Sequence, residues 1–156
     1  MTDTDTAVRD RISGAIRHYL DVLEGKDGAT LHDLAKALDG LVVAYHQTTD
    51  VGPDGPEVPL PPGVDHRPID EAASAAFPDL GWYSVVDPQG AEGQRIGQTI
   101  ATSDLAEIAA DLLDVLWQFE NARHNDAVWA FRFGYQTHWG RHLHEIRTYL
   151  HSLAAW

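Results

Sequence analysis

SDLAEIAADLLDVLWQFENARHN, residues 103–125, runs into DAVWAFRFGYQTHWGRHLHEIRTYLHSL, residues 126–153, and the reading of this stretch decides the fold. Apolar groups recur at Leu105, Ile108, Leu112, Val115, Leu116 and Phe119, then at Val128, Tyr135, Trp139, Leu143, Ile146, Leu150 and Leu153. That is the spacing of one face of an α-helix in each half. Ser103 reads as an N-cap, with Asp104 and Glu107 in the first turns complementing the helix dipole. Asn121 to Asn125 reads as a turn, and Asn125 or Asp126 as the cap of a second helix continuing to Leu153. So short a turn makes the two helices antiparallel neighbours.

Working outward, a matching pair lies at the amino-terminal end. Val8, Ile12, Ala15, Ile16, Tyr19, Leu20 and Leu23 have helical spacing over residues 5–24, and Gly25 and Gly28 end the helix. Thr30 with Asp33 has the capping-box pattern, opening a helix that carries Leu31, Leu34, Leu38, Leu41, Val42 and Tyr45 on one face. Between the two hairpins, residues 48–68 hold six of the eight prolines, which favour an irregular or polyproline connection. Its PxxP spacings are a weak signal for an SH3-type ligand beside that of a plain loop. A short helix over 69–77 follows, then GWYSVVDPQG and RIGQTI as brief extended pieces with a turn at Asp87-Pro88. Trp82 and Tyr83 are expected to lid the helices, since large aromatics dominate burial. The expectation is an all-α, antiparallel four-helix bundle formed as one domain over 1–156, with the proline loop and a short extended segment between its hairpins.

Composition sets the outer limits. A net charge of -13 argues against nucleic acid and anionic membrane surfaces, both of which require basic patches. Absence of cysteine removes disulfides and thiolate chemistry. The polar start, MTDTDTAVRD, lacks the apolar core of a signal peptide, and the longest apolar run is Leu41 to Tyr45, so a cytoplasmic location is expected. There is no phosphate loop, dinucleotide fingerprint or GxSxG elbow.

The chemistry concentrates in HWGRHLHE. On an ideal helix His138 and His142 lie one turn apart beside the apolar stripe, with Glu145 extending the row. Asp104, Glu107 and Asp111 flank the preceding stripe on the corresponding side. With the turn at residues 123–125, positions whose numbers sum to about 249 fall level in an antiparallel pair. That sets Asp111 by His138, Glu107 by His142 and Asp104 by Glu145. Two readings stay open. In one, the imidazoles are partly buried and satisfied by carboxylates. In the other, Asp111, His138 and His142, with Asp104 or Glu107, hold a divalent zinc, iron or manganese ion. The zinc-protease signature needs glutamate directly after its first histidine, and Trp139 stands there. Gly140 suggests close packing against a neighbour, because glycine in mid-helix costs about 1 kcal/mol. Arg132 and Arg141 are expected to pair with acidic or aromatic neighbours, with anion binding the alternative. Histidines 18, 32, 46, 66, 124 and 144 are expected at the surface or in loops.

Two stretches resemble a bacterial family known as domain of unknown function 5063: WYSVVDPQGAEGQRIGQTIATSDLAEIAADLLDVL, residues 82–116, and AVWAFRFGYQTHWGRHLHEIRTYLH, residues 127–151. The first resembles its aromatic pair, Asp-Pro and acidic helix, and the second its aromatic helix ending in HWGxH. The family pattern falls on Asp87, Pro88, Asp104, Asp111, Trp129, His138, Trp139, Gly140 and His142. Glu107 stands where the family has aspartate, and Ala109 where tyrosine is common. The resemblance implies no activity and does not extend to the amino-terminal half. Together these signals point to ligand binding at Asp104, Glu107, Asp111, Trp129, Trp139 and Arg141, and to metal binding at Asp111, His138 and His142. The leading expectation is a binding or protein-interaction module with an unidentified protein partner or small ligand. The alternatives are a metal-dependent hydrolase, its metal-bound water as nucleophile, and a homodimer joined through the exposed face of the first or second helix.

Overall fold

In the computed structural model, which describes residues 1–90 and 96–156, each amino-terminal helix starts where its cap predicts. Helix α1 (Asp3–Leu23) is capped by Thr2, and α2 (Leu31–His46) by Thr30; in both, the threonine side chain and the aspartate three residues on satisfy each other's backbone N–H. Gly25 adopts φ 72°, and a 3₁₀ turn over Lys26–Gly28 joins the two helices. After the proline loop come α3 (Arg67–Ala76), strands β1 (Trp82–Val86) and β2 (Ile96–Ile100), α4 (Ala101–Asn121), α5 (His124–Thr137) and α6 (Trp139–Ser152). The strands pair antiparallel, Trp82 opposite Ile100 and Val86 opposite Ile96. Arg95, where the second extended piece was expected to begin, lies outside the described residues.

The molecule is thus mainly helical, with a two-stranded sheet that departs from an all-α bundle. Helix α4 is central, packing against α1, α3, α5 and α6. Ile12 and Ile16 of α1, Leu34, Leu38 and Leu41 of α2, Leu105, Ile108 and Leu112 of α4, and Leu143, Ile146 and Leu150 of α6 are fully buried. Each such side chain contributes about 2 kcal/mol of transfer free energy. The Tyr19 hydroxyl, also buried, donates to the Leu105 carbonyl at 2.8 Å and ties α1 to α4.

Four sequence expectations need correction. The last long helix is two helices, broken at His138, whose φ -143° and ψ -84° are not helical. Helix α4 begins at Ala101, because β2 runs directly into it, and Ser103 instead donates to Asp70 Oδ2 at 2.9 Å. Trp82 is 66% exposed, since alternation along β1 turns its neighbour Tyr83 inward in its place. Leu153 follows the end of α6 and is exposed.

The proline loop is pinned to the start of α5 by Asp126, which is fully buried. Its carboxylate accepts from the Asp54 backbone N–H at 2.8 Å and from Arg123 Nε at 3.0 Å. Burial pushes that carboxyl up, but these bonds outweigh it and hold the group below its ordinary value. No helix among the described residues is long and apolar enough to cross a membrane.

Candidate functional site

Asp104, Glu107 and Asp111 share one face of α4 because they are spaced three and four apart. Opposite them stands the α5–α6 junction, which Trp139 builds. Its ring is fully buried against Phe131 and Tyr135, both at a centroid distance of 5.2 Å. Two glycines make room for this fold-back. A Cβ on Gly134 would come within 2.7 Å of the Trp139 ring, and one on Gly140 would overlap the Tyr135 carbonyl. The buried tryptophan therefore turns its neighbour His138 outward toward α4, and His142 follows one turn later.

The two imidazoles converge on one carboxylate. His138 Nδ1 lies 2.6 Å from Asp111 Oδ2. An ionised carboxylate only accepts, so Nδ1 is the donor in this pair and Nε2 is turned away from Asp111. His138 Nε2 and His142 Nε2 stand 3.5 and 3.3 Å from the same Glu107 Oε2. His142 Nδ1 faces Asp104 Oδ1 at 3.7 Å, longer than a hydrogen bond. The rings stand edge to face, with centroids 5.1 Å apart.

Behind His142, Asp104 is held by the hairpin. It is 4% exposed and accepts the Tyr83 hydroxyl at 2.7 Å and the Thr99 hydroxyl at 3.0 Å. Burial raises its carboxyl, but the facing His142 and the two hydroxyls prevail and hold it below the ordinary range. Facing Asp104 raises His142 more than burial lowers it, and burial followed by Asp104 pushes the Tyr83 phenol well up. The site therefore has an inner ring of His138, His142 and Glu107 and an outer ring of Asp111 and Asp104. One ligand atom from each inner residue lies within 4.8 Å of the others, the one such cluster among the described residues.

Other residues named from the sequence fall outside these two rings. Glu145 lines the same pocket as Asp104 and His142, but Arg141, one turn before it, holds it in an ion pair of 2.9 Å. Arg141 itself is exposed on the rim. Trp129 stacks on Phe133 at 5.0 Å beside a groove that Asp111 and Trp139 also line. Arg132 lies over the Tyr45 ring at 4.8 Å. His124 is half-buried against Phe119, not at the surface. Sequence reasoning missed Tyr83 and Thr99 as partners of Asp104, and only the strand pairing that sets them opposite each other could have pointed to them.

The chain matches the model of a family described as "Domain of unknown function (DUF5063)" over residues 6–155, a span that includes the amino-terminal half the motifs left out. It is also similar to the crystal structure of protein BF1032 from Bacteroides fragilis, a Northeast Structural Genomics Consortium target. The TM-score is 0.70 at 16% identity, over 97% of this chain and 92% of that one, a likeness of fold. No curated protein matches.

Proposed function

We propose, for a chain that belongs to the DUF5063 family, that it is a ligand-binding domain whose ligand is a single divalent transition-metal ion. The ion is held by Nε2 of His138, Nε2 of His142 and the Glu107 carboxylate. One observation carries the reading: these three groups bring their ligand atoms within 4.8 Å of one another. Ligand atoms at about 2.1 Å from a common ion, with angles between octahedral and tetrahedral, stand about 3.0–3.4 Å apart. The separations of 3.3 and 3.5 Å from Glu107 need almost no adjustment. Asp111 then acts from behind, orienting the His138 ring through Nδ1 and raising the basicity of its Nε2, while Asp104 faces His142 Nδ1 as a charge at 3.7 Å. In the purely structural alternative the same carboxylates pair with the two imidazoles and no ion is needed.

Two imidazoles and a carboxylate suit zinc, iron(II) or manganese(II). Three protein ligands leave at least one position open, which favours a second reading as a metal-dependent hydrolase. The test is the metal content of protein purified without a nickel column. Wild type is expected to carry about one equivalent, and His138→Ala/His142→Ala to carry none while keeping its helical spectrum. A wild-type protein that arrives metal-free and takes up none of the three ions at micromolar concentration sinks the reading. Chelator-sensitive hydrolysis of p-nitrophenyl acetate or phosphate would separate enzyme from binding module.

A further inference from the structure

Asp111 also lines a groove of about 210 Å³ between α4, α5 and Pro61 of the proline loop. Its α4 wall carries Asp111, Asp114 and Gln118, and its α5 wall the stacked pair Trp129 and Phe133, with Phe133 48% exposed. Trp139 closes one side. Two of the lining residues carry a buried polar atom without a partner among the described residues: Gln118 Oε1, in a residue 6% exposed, and Trp139 Nε1, in a residue with no exposure. In this orientation Gln118 Nε2 faces the Pro59 carbonyl of the proline loop at 3.4 Å. Leaving such groups unpaired costs about 1–3 kcal/mol each, unless a ligand or water meets them.

We infer that this groove binds a small organic ammonium ion bearing an apolar ring and a hydrogen-bond acceptor. The chemistry is complementary atom by atom. Asp111, Asp114 and Gln118 Oε1 supply only acceptors on the α4 wall, which selects an N–H-rich cation. The Trp129 and Phe133 faces take an apolar body or the cation itself. Trp139 Nε1–H, a donor alone packed against Gly134, would be met by an oxygen on a ligand that reaches that edge of the groove. The groove falls below the roughly 300 Å³ of sites for drug-sized ligands, so the occupant is a fragment-sized amine rather than a cofactor. Burial, and then the neighbouring Asp111, push the Asp114 carboxyl up, a shift that an ammonium bound beside it would oppose. This inference stands apart from the metal reading and shares with it only Asp111, so its test turns on Asp114.

The experiment is calorimetric titration of chelator-treated protein at about 0.15 M salt, which screens the surface charge. The probes are 2-amino-1-phenylethanol, charged at neutral pH, and its neutral counterpart 1-phenylethanol. Saturable binding of the amine is expected, about tenfold tighter than that of the alcohol. Asp114→Asn should weaken the amine about tenfold, leave the alcohol unchanged and leave zinc uptake intact. Trp129→Leu should weaken both probes. Equal affinity for amine and alcohol, an amine that never saturates, or an Asp114→Asn protein that binds the amine like wild type would each overturn the proposal. If Asp114→Asn fails to fold, the comparison of the two probes on wild type decides alone.

Discussion

Glu107 is the residue on which both imidazoles converge, but Asp104 and His142 give the site its dependence on pH. His142 holds its proton more tightly folded than unfolded, so its contribution is complete below its ordinary 6.5 and is lost as pH rises through its raised folded value. Asp104 is shifted the other way, so its contribution is present above its ordinary 3.8 and is lost as pH falls through its lowered value. The chelated protein should therefore be most stable between those limits and weaken above neutrality. Urea midpoints measured from weakly acid to weakly alkaline pH test this. His142→Gln should abolish the alkaline decline, and a variant whose profile parallels wild type would refute the assignment. The facing of these rows was legible because antiparallel register is arithmetic: 111 and 138 sum to 249, as do 107 and 142. The third pair, Asp104 with Glu145, obeys the same sum, and both residues line one pocket with His142 without bonding to each other. Arg141 is a nearer partner for Glu145, and two carboxylates have no reason to meet.

At the scale of elements, the break at His138 aims the site, and it was not legible. The apolar period runs through it: Leu143, Ile146 and Leu150 stay almost in phase with Val128. The break did displace one assignment, since Phe131, outside the expected stripe, is fully buried while Tyr135 is only half-buried. Gly140 was the visible mark, and its reason is steric. Helix propensity alone says that Gly140→Ala should stabilise by about 1 kcal/mol. The overlap of a new Cβ with the Tyr135 carbonyl, which is backbone and cannot swing aside, reverses the sign. The expected result is a loss of about 3 kcal/mol, read from the denaturation midpoint, with weaker metal uptake because His138 shifts with the junction. A stabilised Gly140→Ala protein would show that the break is not held by this contact. The hairpin was legible only as two extended pieces, because strand pairing depends on partners distant in sequence, whereas helical periodicity is local.

For the whole molecule, the question is whether the metal ion joins elements or merely decorates a helix. The side chains proposed to hold it come from α4, the α5–α6 junction and α6, and Asp104 faces His142 and is tied to the hairpin through Tyr83 and Thr99. An ion bound to the folded state alone stabilises it by about 2.7 kcal/mol at a hundredfold excess over Kd. For a chain of this size that corresponds to about 5–10 °C in Tm. The net charge of -13 creates a rival effect, since any divalent cation screens self-repulsion. Magnesium separates the two, because it screens as zinc does but prefers oxygen ligands and keeps its waters. Zinc should thus raise Tm by that amount beyond magnesium, and Glu107→Gln should remove most of the difference while leaving the magnesium effect unchanged. The shift should be the same by far-ultraviolet circular dichroism and by tryptophan fluorescence. Trp82 reports from the hairpin, Trp117 from α4, Trp129 from α5 and Trp139 from α6, so a cooperative unit must move them together. A zinc shift no larger than magnesium's would mean that the three inner side chains hold no ion, and that their convergence is a matter of surface electrostatics.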